Sequence, residues 1–216
     1  MILTHARESA LREAAGLAQL VHVFHQEFGA RRRAALDRCA GCGDAALLAD
    51  IARPPGRGAA DDEIRYLRQS ILPADGVAEG CRQLRARLPA LPADAGFDAL
   101  LALCAAVARS VERLGPLWAH ETALLLAAGR GRLPQRVHLT PGARAGARAL
   151  GLPVRHATLP MHALHPAIRM LGAPLVEGFF DIAKGALPRW REEHELWAGF
   201  RLPGRRPAAP PQAGAR

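Results

Sequence analysis

The chain has 216 residues, half of them apolar and 23% charged, with a formal charge of +9. That balance predicts one globular domain and excludes a wholly disordered chain. The longest apolar run, Ala99 to Ala108, falls well short of the ~20 residues that span a bilayer, and Arg7, Glu8, Arg12 and Glu13 break any signal-peptide pattern. The expectation is a cytoplasmic protein with no membrane contact.

The elements read in chain order as an all-α fold. Thr4 caps a first helix that runs to about Phe28, with Leu11, Leu17, Leu20, Val21, Phe24 and Phe28 at helical spacing. Asp44 opens a short helix to Ala52, and Pro54-Pro55-Gly56-Arg57-Gly58 breaks the chain. Helices follow over Asp61–Leu72 and Val77–Leu88. Phe97–Leu114 has the clearest apolar stripe, built from Leu100, Leu101, Cys104, Val107, Val111 and Leu114. Gly115-Pro116 ends it, and Leu117–Ala128 forms the next helix. Residues 130–139 read as an exposed basic connection. Thr140-Pro141 has N-cap and first-turn chemistry for a helix ending at Leu150-Gly151. Pro174 starts a helix to about Gly185, and Pro188–Phe200 forms the last. No strand pair and no internal repeat stand out. The domain spans 1–202, with a second reading that divides it near 53–60, and 203–216 reads as a disordered tail rich in Pro, Ala, Gly and Arg.

The basic residues are almost all arginine, with Lys184 the single lysine, and there is no asparagine. Codon bias toward GC-rich codons produces that pattern, so the arginine count alone says little. Its distribution says more. Residues 116–173 carry seven arginines (Arg130, Arg132, Arg136, Arg144, Arg148, Arg155 and Arg169) against the single Glu121. A local positive field of that kind favours an anionic partner.

Several constellations fall in or near this segment. Leu114-Gly115-Pro116-Leu117, continuing to Glu121-Thr122-Ala123, loosely resembles a helix-hairpin-helix module, in which hairpin N–H groups grip a DNA phosphate. It lacks the tight G-x-G, so an ordinary helical turn is the competing reading. Thr140, Gly142, Arg144 and Arg148 form a helix start with two arginines on one face. With Arg136 they make a candidate anion or nucleic-acid site, against a solvated face and close helix packing at Gly146. His120, His138, His156, His162 and His165 cluster in the same segment. His120, Glu121 and His138 are the candidates for proton transfer. Glu177, Asp181 and Lys184 share a helix face, as an acid–base pair or as a helix pair salt-bridged to Lys184 or to the basic segment. Cys39 and Cys42 have C-x-x-C spacing without a second ligand pair, so free thiols are expected and no metal or cofactor is assigned. P-loop, G-x-S-x-G, kinase and G-x-G-x-x-G signatures are absent.

Over about residues 110–185 the chain resembles an uncharacterised family of small bacterial proteins. The residues that carry the likeness are Glu121-Thr122-Ala123, Val137-His138-Leu139, Gly142, Arg144, Gly146-Ala147, Ala149 to Leu152, Glu177 to Phe180 and Lys184. Thr140, Pro141 and Asp181 depart from the His, Ala and Cys often found there. The resemblance implies no activity beyond a hint of kinship with helix-hairpin-helix proteins. A base-excision glycosylase is disfavoured, because no carboxylate occurs between Glu121 and Glu177. Three functions stay open: a non-enzymatic nucleic-acid-binding or accessory protein using the basic segment; a small enzyme or binding protein for an anionic, nucleotide-like ligand; and a helical protein-interaction module presenting Trp190, Trp197 and Phe200.

Overall fold

A computed structural model describes Leu11, residues 13–53 and residues 72–201, the side chains of 199–201 excepted. Several expectations lie outside the described residues: the Thr4 cap, the 54–58 breaker, the helix from Asp61, the Phe200 side chain of the aromatic patch and the tail from 203.

Leu17, Leu20, Val21 and Phe24 recur at three- and four-residue spacing, and all are buried in α1 (Leu17–Phe24). The chain does not stop near Phe28. It widens into a π-helical turn at His25–Gly29 and continues as α2 (Ala30–Cys39). Gly29 keeps right-handed helical angles, φ −65° and ψ −41°, so it does not act as a breaker. α3 (Asp44–Ala52) packs on α4 (Ala74–Arg87). α5 (Phe97–Ser110) ends a turn earlier than its apolar stripe predicts. There the Ser110 hydroxyl donates to the Val107 carbonyl, Val111 is extended, and Arg113 takes φ 64° to turn the chain.

α6 (Pro116–Gly129) is the central element. Pro116 sits at its first position, where a missing N–H costs nothing. Every residue from Trp118 to Ala128 is buried, so α6 is covered on all sides, with α5 along one flank and α2 across another. Gly80 of α4 allows close approach, since a β-carbon there would strike the Trp118 ring.

The connection after α6 contains a two-stranded antiparallel ribbon that the sequence reading missed. β1 (Arg136–His138) pairs with β2 (Thr158–Pro160), with Val137 opposite Leu159. Three residues are too few for an alternating pattern to be read, and the partner lies a full helix away in sequence. Val137 is buried, so residues 130–139 are not wholly an exposed connection.

Between the two strands lies α7 (Pro141–Ala149), whose first turn is capped by Thr140. The short α8 (Pro166–Arg169) leads to Gly172, which takes φ 76° to start α9 (Ala173–Ala183). A 3-10 turn at Leu187–Trp190 precedes α10 (Arg191–Arg201). α9 packs closely on α7 and also touches β1. One continuous apolar core runs from Leu11 to Leu187 and draws on helices throughout the chain. The all-α fold is therefore as the sequence predicts, apart from the ribbon. No helix among the described residues is long and apolar enough to cross a membrane.

Candidate functional site: a buried histidine–glutamate centre beside an apolar cavity

A central helix covered on all sides should carry only apolar side chains. α6 instead buries His120, Glu121 and Thr122 in consecutive positions. A buried carboxylate is costly unless charges and hydrogen bonds compensate it. Glu121 meets that cost with Arg32 of α2, whose Nη2 donates to Oε2 in an ion pair of two buried side chains. Arg32 was not singled out in the sequence, where it lies inside Arg31-Arg32-Arg33. The signal was nonetheless present: Phe28, Arg32, Ala35, Leu36 and Cys39 follow helical spacing, and all are buried.

The third helix to contribute is α9. Glu177 is buried, and its Oε1 accepts from the hydroxyl of Thr140. Thr140 also takes the Ala143 N–H at 3.4 Å as the cap of α7. Glu177 thus meets the basic segment, as one expectation had it, but through a hydrogen bond with Thr140. Asp181 pairs with Lys184 at 3.2 Å.

The two carboxylates turn their other oxygens toward one imidazole nitrogen. His120 Nδ1 lies 3.8 Å from Glu121 Oε1 and 3.9 Å from Glu177 Oε2. His120 is 3% exposed, and its Nδ1 makes no hydrogen bond. The three donor atoms lie within 4.8 Å of one another, close enough to hold a metal ion.

Beside this centre lies a cavity of about 470 Å³ between α5, α6 and the β1–α7 connection. Leu101, Ala105 and Leu139 give it an apolar wall; His120, His138 and Thr140 supply polar groups, and Arg109 lies at its edge. Phe97 positions both imidazoles, with ring centroids 5.6 Å from His120 and 4.6 Å from His138. His138 Nε2 lies 3.0 Å from the exposed carboxylate of Asp98. Burial lowers the His138 pKa below the ordinary histidine value, and it outweighs the opposing pull of Asp98. His138 is therefore neutral at pH 7.

The predicted residues thus divide. His120, Glu121, His138 and Thr140 come together, and the structure adds Glu177, Arg32, Phe97 and Asp98. The proposed anion site is arranged differently. Arg144 Nη1 donates to the carbonyls of Val154 and His156, tying α7 to the approach to β2. Gly142 sits against the Asp181 side chain, so the start of α7 already faces Asp181 and Glu177. Gly146 lies against the Phe180 carbonyl, which favours packing at that position. Arg136 is exposed and lines a second, more polar groove with Arg132, Asp37 and Asp98. Arg148 is exposed.

Other candidates are used structurally. Trp190 and Trp197 are half-buried rather than displayed. Arg189 stacks on Trp190, while His165, His194 and Arg169 surround Trp197. All four cysteines are free thiols, and burial pushes the Cys39 thiol up to about 11. A thiol held protonated in this way is a poor nucleophile. Comparison with protein-family models, with curated proteins and with solved structures finds no match to this chain.

Proposed function

We propose that this helical protein binds a small ligand with an apolar body and an acidic or hydrogen-bonding head group. The cavity beside α6 takes the ligand, and His120, His138 and Thr140 meet the head group. The observation that carries this reading is the convergence of two imidazoles, aligned by one phenyl ring, on an otherwise apolar cavity. Few polar groups in an apolar cavity of this size is the usual composition of a small-molecule site. A neutral His138 suits hydrogen bonding or proton uptake from a bound acid.

Medium-chain carboxylic acids and the matching alcohols are suitable probes. A saturable rise in Tm with either series supports the reading. Ala105→Trp, which fills the cavity from its apolar wall, should remove the shift. Absence of any saturable shift, or a shift indifferent to Ala105→Trp, overturns it.

A second reading rests on a different observation. Arg132, Arg136, Arg148 and Arg155 are all exposed within one stretch of chain. Such a surface supports the nucleic-acid-binding or accessory role expected from the charge distribution. Binding to duplex or single-stranded DNA should then weaken steeply with salt. Arg136→Glu combined with Arg148→Glu should abolish it. No mobility shift at about 50 mM salt ends this reading, since electrostatic binding is strongest there.

A further inference from the structure

We infer that His120, Glu121 and Glu177 form a binding site for one divalent transition-metal ion of the zinc or manganese class. The inference stands on the geometry of the centre and does not depend on what occupies the cavity.

The buried nitrogen is the first ground. An imidazole nitrogen taken out of water without a hydrogen bond costs free energy, and most such atoms in folded proteins have a partner. His120 Nδ1 has none, although it points between two carboxylates. A proton does not bridge these groups well. The separations of 3.8 and 3.9 Å exceed the ~2.7–3.2 Å of an N–H···O hydrogen bond. They match a shared ion better. Two ligands each about 2.1–2.2 Å from one ion lie about 3.4–3.6 Å apart at a tetrahedral angle and about 3.6–3.8 Å apart at about 120°, so an ion would draw the three donors inward by a few tenths of an ångström.

The outer contacts are the second ground. Each carboxylate engages one oxygen with an outer partner and turns the other inward. Glu121 Oε2 meets Arg32 and Glu177 Oε1 meets Thr140, while Glu121 Oε1 and Glu177 Oε2 face Nδ1. Metal-binding carboxylates are commonly oriented by such outer hydrogen bonds. Three helices are fixed around the point where the ion would sit: α2 through Arg32, α6 through His120 and Glu121, and α9 through Glu177.

The donor set selects the ion. One imidazole and two carboxylates suit zinc, manganese or iron(II), whereas calcium and magnesium favour all-oxygen shells. C-x-x-C or H-x-x-x-H spacing could not reveal this site, because Glu177 arrives from another helix.

The test uses full-length protein stripped with a chelator and dialysed. Isothermal titration with Zn²⁺, Mn²⁺ and Co²⁺ should give one saturable site, and Tm should rise by several degrees with the bound ion. Co²⁺ should also produce visible d–d absorption. Glu177→Gln keeps the shape of the side chain and should weaken binding at least tenfold, while the exposed-site control His162→Gln should leave it unchanged. If Glu177→Gln fails to fold by circular dichroism, histidine-labelled wild-type protein decides instead. Zn²⁺ should then shift the ¹⁵N resonances of one buried histidine. Titrations without a saturable one-to-one site, binding unaltered in folded Glu177→Gln, or Zn²⁺ that leaves every buried histidine unmoved would each overturn the inference. The carboxylic-acid series tests the cavity separately, so the two readings fail independently.

Discussion

The buried centre around His120 and the exposed arginines of residues 132–155 lie on neighbouring stretches of one chain, yet charge acts differently in them. On the surface each arginine meets water, and its cost and its benefit are both small. In the centre each charge is desolvated, so its partner decides whether the fold tolerates it. The carboxylate-poor segment is also less one-sided in space than in sequence. Asp44 pairs with Arg130 at 2.6 Å, Asp98 with His138, and Glu177 with Thr140, each acid arriving from outside the segment. A charge count along the chain therefore locates a region of interest but overstates its field.

The largest expected effect tests the buried side of this contrast. Glu121→Ala removes the carboxylate that faces Arg32 in the core and should cost about 3–5 kcal/mol in denaturant unfolding. Replacing both, as Arg32→Met with Glu121→Leu, should restore much of that loss. A single-variant cost below about 1 kcal/mol would place this pair with surface ion pairs and break the comparison.

Packing supplies the next test, and it separates two glycines with the same sequence appearance. A β-carbon at Gly146 meets the Phe180 carbonyl, which is backbone and cannot rotate away. A β-carbon at Gly142 meets the Asp181 carboxylate, which is a side chain and can. Gly146→Ala should cost about 1–3 kcal/mol or more. Gly142→Ala should cost clearly less, and equal losses would show that the α7–α9 contact yields as a whole.

Thr140 joins the two regions, since its hydroxyl both caps α7 and donates to Glu177. Thr140→Val should lose about 1–2 kcal/mol, combining a lost cap with a lost buried hydrogen bond. Thr140→Ser should retain most of the stability, because the hydroxyl is what matters. Equal stability of the valine and serine variants would remove Thr140 from the centre.

How much of this was legible follows from the range of the signals. Helices such as α5 and α6 are local, so Leu100, Cys104 and Val107 announced their buried stripe from spacing alone. His120, Glu121 and His138 are legible because histidines are dense in this segment and His120 adjoins Glu121. Arg32 and Glu177 were not placed at the centre, because only tertiary packing brings α2 and α9 against α6. Thr140 was read correctly as a cap, but its second bond depends on a residue from another helix. The ribbon failed for the same reason, since Val137 finds Leu159 only after α7 has folded back.

The pH dependence gives a smaller and more specific effect. Burial lowers the pKa of His138, and also those of His165 and His194. A histidine with a lowered folded-state pKa binds its proton more readily when unfolded. The folded state is thus undiminished above the unfolded value of ~6.5 and loses stability as pH falls below it. Tm should therefore fall as the solution is acidified through the histidine range. His138→Gln should flatten part of that slope, with the other two histidines accounting for the rest. An unchanged slope would mean that His138 is more solvated than its neighbours Phe97 and Val137 imply.

The smallest expected effect belongs to the surface. Arg148 and Arg155 are both exposed, and reversing both to Glu should change unfolding stability by no more than about 0.5 kcal/mol per site. The same double variant should leave metal binding at His120 unchanged, because the charges it alters are screened by solvent. If nucleic-acid binding exists, it should disappear in this variant while stability and metal binding persist. That dissociation would assign the arginines to a partner and the buried acids to the fold. Loss of stability comparable to Glu121→Ala would instead show that the exposed arginines hold the structure together, and the distinction between the two regions would fail.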